Sequence, residues 1–252
     1  MLQSARRELA AFLRAKRTSA RPDSHGLAAR GVRRTPGLRR EEVADRAGVS
    51  LSWYTYLEQA RQVNPSEHTL AGLARALRLS PAEREYMRAL VFGRFPGARS
   101  VTEAPEILRR VVEQSSTAAY VKSPRWEVLL TNELAEDLFG FGTPGMHYIR
   151  WLFGAHARTL IVGWEEFARL NLGIFRADSG PLLREPWAEA LTAELSRDHA
   201  EFRAWWQHHA IEERRPTAMT IEHRKRGRLV LTWVALADTP GSNCRVLFFQ
   251  EN

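Results

Sequence analysis

Apolar and polar positions over the first 92 residues recur at helical spacing, in short runs broken by capping residues. In residues 4–17 the buried stripe is Leu9, Phe12 and Leu13, which predicts an amphipathic first helix. Residues 38–61 carry two such runs. The first sets Val43, Ala44 and Ala47 on one face and places Glu41 and Glu42 in its opening turn, where the helix dipole favours carboxylates. Gly48 ends it, because glycine enters the left-handed region without steric cost. Ser50 is then a natural N-cap. The second run buries Tyr54 and Leu57 and offers Leu51, Ser52, Thr55 and Tyr56 on another side. Ser66 opens a fourth helix through Leu70, Leu73, Ala74 and Leu77, and Ser80-Pro81-Ala82-Glu83 opens a fifth that runs to about Phe92. Two short helices across a tight turn, the second with a small mixed face, form the unit that enters the DNA major groove.

Beyond Phe92 the pattern changes. Gly93 to Ala104, with Pro96, Gly97 and Ser100, reads as a linker, so the chain divides into 1–93, a linker at 94–104, and 105–252. Residues 118–122 and 126–131 alternate as strands around a Ser123-Pro124 turn, and Asn132 caps a helix over 133–139. Helical patterns follow at 146–153, 164–177, 186–195 and 199–208. Strands return at 218–223, 228–236 and 245–250. The fold class is therefore an all-α five-helix domain followed by an α+β domain whose five strands form an antiparallel sheet.

Charge sharpens this picture. Residues 1–100 hold 19 Lys and Arg against 9 Asp and Glu, a net of +10, while the remaining 152 residues hold 18 and 20, a net of −2. All the excess positive charge sits with the helical motif. Phosphate neutralisation and counterion release need that arrangement, so double-stranded DNA is the expected partner rather than a merely solvated basic face. With 252 residues, one cysteine (Cys244) and no run of 18 apolar residues, the expectation is a cytoplasmic protein without disulfide, signal peptide or membrane association.

Two long runs carry a family resemblance. Arg33-Arg34-Thr35-Pro36-Gly37-Leu38-Arg39-Arg40-Glu41-Glu42-Val43-Ala44 and Trp53-Tyr54-Thr55-Tyr56-Leu57-Glu58-Gln59 resemble the actinobacterial MmyB-like regulators, whose N-terminal part is of the phage-repressor-like (Xre) helix-turn-helix class. Shorter matches continue at Ala119-Tyr120-Val121, Leu130-Thr131-Asn132, Trp164-Glu165-Glu166-Phe167-Ala168, Glu201-Phe202-Arg203 with Trp206 and His209, and Gly227-Arg228-Leu229-Val230-Leu231. The resemblance implies a PAS-like C-terminal domain that binds a lipidic effector governing DNA binding. It implies that Leu51, Ser52 and Tyr56 face base edges, that Arg40 contacts phosphate, and that Trp53 and Thr55 flank the backbone. With the cap Ser50 and the basic residues Arg33, Arg34, Arg39 and Arg61, these make the DNA-binding set. The chain departs from the family at Ala60, where glycine is usual, at Ala210, where aspartate follows His209, and at Arg224, where proline follows His223.

For the C-terminal domain the resemblance points to an apolar pocket between sheet and helices. The expected lining is Tyr120, Phe139, Trp151, Phe167, Leu170 and Trp233, with Arg150, Arg176 and His209 as candidates for a fatty-acid carboxylate. Large aromatics serve equally as core, so composition does not separate a hollow domain from a filled one. Two readings stay open: a ligand-responsive transcription factor acting as a symmetric dimer, and a DNA-binding regulator whose C-terminal domain serves dimerisation or protein docking. No cofactor is expected beyond that long-chain fatty acid or other apolar effector. Neither a metal site nor an enzyme is expected. His199, His208, His209 and His223 lack ligand spacing, no nucleophile elbow or phosphate loop occurs, and Cys244 reads as a buried inert thiol.

Overall fold

A computed structural model describes residues 3–21, 37–93, 101–212, 217–237 and 242–252. Two compact units form, and they do not follow the chain in order. One joins the chain up to Phe95 with Ser179–Glu212; the other joins Pro96–Asp178 with Glu213–Asn252.

The first unit contains the five predicted helices: α1 (Gln3–Ser19), α2 (Arg40–Ala47), α3 (Leu51–Glu58), α4 (Glu67–Ala76) and α5 (Pro81–Phe92). Each boundary has its local cause. Gly48 sits at φ 71° and closes α2, and Ser50 Oγ accepts from Trp53 N at 3.2 Å. Ser80 and Glu83 make a reciprocal capping box, Glu83 N donating to Ser80 Oγ at 3.2 Å and Ser80 N to Glu83 Oε2 at 2.8 Å. Leu9, Phe12 and Leu13 of α1 are buried with Val43, Tyr54, Leu73 and Leu90, and Tyr86 meets Phe12 edge-on at 5.4 Å. A Cβ on Gly72 would lie 2.4 Å from the Ala47 carbonyl oxygen, so α4 meets α2 backbone to backbone and only glycine fits there.

Within the same unit, a 3₁₀ turn over Gly180–Arg184 packs on α1 and leads to α11 (Pro186–Asp198) and α12 (Ala200–Gln207). The sequence boundary places this stretch in the C-terminal domain; in three dimensions its contacts are with the helical unit.

The second unit is built on a sheet of β1 (Ala118–Lys122), β2 (Glu127–Thr131), β3 (Met146–His147), β4 (Thr217–His223), β5 (Gly227–Ala237) and β6 (Arg245–Glu251), antiparallel throughout, in the order β3-β2-β1-β6-β5-β4. Central β1 is buried at every position. Its register with β6 pairs Ala118 with Phe249 and Tyr120 with Leu247, and β5 pairs Trp233 with Phe249. Tyr120, Phe249 and Trp233 therefore share one face. The opposite face packs Ala119, Val121, Leu129, Cys244 and Val246 against Val112 of α6 (Glu106–Glu113), a helix the sequence pattern leaves unassigned. Helices α7 (Glu133–Phe139), α8 (Tyr148–Phe153), α9 (Ala155–Leu160) and α10 (Trp164–Ser179) complete the unit.

Two local expectations are corrected. Met146 and His147 are not helical: they form β3, with Gly145 N donating to Val128 O at 2.7 Å and Tyr148 N to Trp126 O at 2.8 Å, and His147 Nδ1 then accepts from Ile149 N to start α8. Trp126 is not the first residue of a strand. It lies at φ 64°, buried at the end of the Ser123-Pro124 turn, with Lys122 Nζ 3.1 Å from its ring centroid. Long-range pairing and packing decide both positions, and a local pattern does not record them.

Candidate nucleic-acid interface and ligand site

Helix α3 divides as its sequence predicts. Tyr54, Leu57 and Glu58 are buried, whereas Leu51 is 47% and Tyr56 42% exposed, Ser52 is exposed, and Trp53 and Thr55 are half-buried. Ser50 is exposed at the cap and Arg39 and Arg61 are exposed beside the helix pair. Arg33 and Arg34 lie outside the described residues.

Behind the exposed face sits a charged cluster of which the sequence pattern selects only Arg40. Glu58 is fully buried, and Arg17 grips it with a fork, Nε to Oε1 at 2.6 Å and Nη2 to Oε2 at 3.2 Å. Arg40 Nε donates to Oε2 at 2.7 Å, Arg14 Nη2 donates to the Glu58 carbonyl oxygen at 2.7 Å, and Arg17 Nη1 reaches Leu38 O at 3.0 Å. Burial alone would raise the Glu58 carboxyl and lower Arg17. The hydrogen bonds of Arg17 and Arg40 outweigh it, so Glu58 is held below the usual carboxylate range and Arg17 above its own. Burial, reinforced by the adjacent Glu58 carboxylate, pushes the Tyr54 phenol up. One signal was available: Glu58 follows Tyr54 by four residues and thus shares its buried stripe. Arg40 is accordingly a structural partner of Glu58 as well as a candidate phosphate contact, its side chain still 44% exposed.

Ala60 keeps the left-handed turn at φ 57° despite its Cβ. Arg61 N consequently donates to Tyr56 O at 3.0 Å, and the Arg61 guanidinium stacks 4.7 Å from the Tyr56 ring centroid. Left-handed backbone costs alanine roughly 1–2 kcal/mol, more than the extra unfolded-state freedom of glycine. Ala60→Gly is therefore expected to stabilise the helical unit by up to about 1 kcal/mol, a melting-temperature rise of a few degrees by calorimetry. A fall in that temperature would contradict the strain assignment.

In the second unit, Tyr120, Phe139 and Trp151 come together. Phe139 lies 6.5 Å from Tyr120 and 6.2 Å from Trp151, and Phe141, Tyr148 and Phe249 complete the aromatic cluster. Trp233 is buried beside Phe249 across the β5–β6 pair. Phe167 and Leu170 are half-buried on α10, Arg150 is exposed on α8, and Arg176 is buried on α10. His209, half-buried at φ 49°, belongs to the helical unit and not to the unit holding the other candidates. A cavity of about 350 Å³ adjoins Phe249 between α7 and the ends of β1 and β6. Ala118, Leu134, Leu138 and Phe249 give it apolar walls, and Asp137, Arg226 and Glu251 give it charge; Arg226 pairs with Glu251 at 2.6 Å. Sequence reasoning missed this cavity because its lining comes from four separated segments.

Among the described residues, no helix is long and apolar enough to cross a membrane, and no three His, Cys, Asp or Glu side chains are grouped to hold a metal ion. Comparison with curated proteins finds no match. Two family models do match. Residues 8–87 fit a helix-turn-helix domain, and residues 104–252, more than half of the chain, fit the ligand-binding domain of MmyB-like transcription regulators. The chain belongs to the MmyB-like transcription regulators, joining a helix-turn-helix DNA-binding domain to a ligand-binding domain.

Proposed function

We propose that this regulator reads duplex DNA as a two-fold dimer through α3, and that an apolar, carboxylate-bearing molecule in the ligand-binding domain sets its affinity. The observation that carries the DNA half is the exposed face of Leu51, Ser52 and Tyr56 on a capped helix locked from behind by Arg17, Glu58 and Arg40. Leu51 suits a thymine methyl and Ser52 several base edges; neither alone dictates a sequence. One such helix reads few base pairs, so two copies on half-sites about 34 Å apart supply the missing information.

The ligand half is supported by the family match and by the apolar walls that Ala118, Leu134, Leu138 and Phe249 give the cavity, since the rings of Tyr120, Phe139 and Trp151 pack on one another. The cavity beside Phe249 adjoins those rings through Phe249 alone, and its Arg226 would have to exchange Glu251 for a ligand carboxylate. Buried Arg176 on α10 is a second candidate anchor. Binding changes DNA affinity only as far as the ligand prefers one arrangement of the protein over another.

Native mass spectrometry of the full chain, with and without added tetradecanoic acid, tests the dimer and the ligand together. The expected species is a dimer carrying the acid. At a hundredfold excess over Kd a ligand adds about 2.7 kcal/mol, a rise of roughly 5–10 °C in melting temperature. A monomer at micromolar concentration overturns the dimer. An unliganded mass with an unmoved melting temperature overturns the fatty-acid reading and favours a docking module.

A further inference from the structure

Arg184 lies within the stretch matched by the ligand-binding family model, yet its partner is Glu8 near the start of α1. Arg184 Nε donates to Glu8 Oε2 at 2.9 Å, and Tyr86 Oη of α5 donates to Oε1 at 2.9 Å. The Glu8 side chain is 3% exposed, so this is a buried carboxylate held by two donors. Six and nine residues further along α1 stand Arg14 and Arg17, about 9–14 Å away at 1.5 Å per residue. Those two arginines hold Glu58, the last residue of α3. One rigid helix is thus gripped by Arg184 at one end and grips the DNA-facing helix at the other.

We propose that Arg184 is a positioning residue for DNA binding, setting the seat of α1 and through it the placement of α3. Arg184 follows α10 of the ligand-binding domain by only five residues, so this contact is also where ligand occupancy reaches DNA affinity. That second statement rests on the effector reading above; the first does not. A contact transmits only if it differs between two states of the protein, so the test is a measured coupling rather than proximity.

The experiment uses full-length Arg184→Ala, Arg184→Lys, Glu8→Gln and the Glu8→Gln/Arg184→Ala double variant, with a duplex selected from a random pool by the wild type. Arg184→Ala should weaken binding about tenfold, within the usual range of coupling. The slope of affinity against salt should stay as in the wild type, because no phosphate contact is lost. Arg184→Lys should recover part of the affinity, and Arg184→Ala should cost nothing further once Glu8 is glutamine. Without DNA, amide exchange in Arg184→Ala should quicken along α1 and around Glu58. Unchanged affinity, or a flattened salt slope, overturns the positioning role. If the wild type selects no duplex, exchange alone decides: lost protection confined to 180–212 overturns it. With tetradecanoic acid, the wild-type change in affinity should vanish in Arg184→Ala, and a full response there overturns the coupling. A wild type indifferent to the acid removes the effector reading and the coupling with it, and leaves the positioning role to the salt slope and exchange.

Discussion

Replacing Glu58 with alanine is expected to unfold or nearly unfold the helix-turn-helix domain. The carboxylate is fully buried and neutralises Arg17, whose side chain is 9% exposed, while also fixing Arg40. Removing one member of a buried pair leaves an uncompensated charge and costs about 3–5 kcal/mol. For a domain of this size that lowers the melting temperature by about 15 °C or more. Glu58→Gln should be nearly as damaging, because shape is kept and charge is not. Arg17→Met combined with Glu58→Leu should recover much of the loss, since a well-packed apolar pair replaces a buried ion pair at little cost. The pH dependence has a definite sign. The Glu58 pKa is lowered in the folded protein, so its contribution is fully present above its unfolded value, about 4.3, and fades as pH falls through the lower folded value. Calorimetric scans of wild type and Glu58→Ala should therefore differ most near neutrality and converge in acid. Equal melting temperatures at pH 7 would contradict the account.

The helix-turn-helix domain was legible because every helix carries its own markers. Ser50, Ser66 and Ser80 accept from the amides their sequence positions predict, and Gly48 takes the left-handed turn. The exposed face of α3 followed from Tyr54 and Leu57 alone. What stayed hidden depends on partners distant in sequence. Arg40 reads as a phosphate contact until Glu58, eighteen residues away, is seen to hold it. Met146 and His147 continue a helical pattern, but β2 claims their backbone. Arg184 falls within the 105–252 stretch that the sequence assigns to the C-terminal domain; Glu8, 176 residues earlier, gives it a buried partner in the helical unit. Aromatic composition left open whether Tyr120, Phe139 and Trp151 line a space or fill one, and their ring contacts show them packed together.

Binding through α3 makes the largest prediction for function. Ser52 is exposed in the first turn of the helix and Tyr56 projects one turn later, stacked by Arg61. Ser52→Glu places a carboxylate against base edges and phosphates while leaving the buried side of α3 untouched, so stability should be unaltered. Specific sites exceed non-specific ones by roughly 10³–10⁷ in affinity, and losing the readout should forfeit at least about a hundredfold of that. Tyr56→Ala should fall the same way. Arg39 gives the contrasting case, being exposed and, unlike Arg40, having no side-chain bond to Glu58. Arg39→Ala should weaken selected and scrambled duplexes alike and reduce the salt slope by about one. The most direct measurement is fluorescence anisotropy of wild type and Ser52→Glu on the selected duplex and on a scrambled duplex of equal length. Ser52→Glu should bind both with the wild type's weak scrambled-duplex affinity or below it, at an unchanged melting temperature; wild-type affinity for the selected duplex would contradict the assignment of α3 as the reading helix.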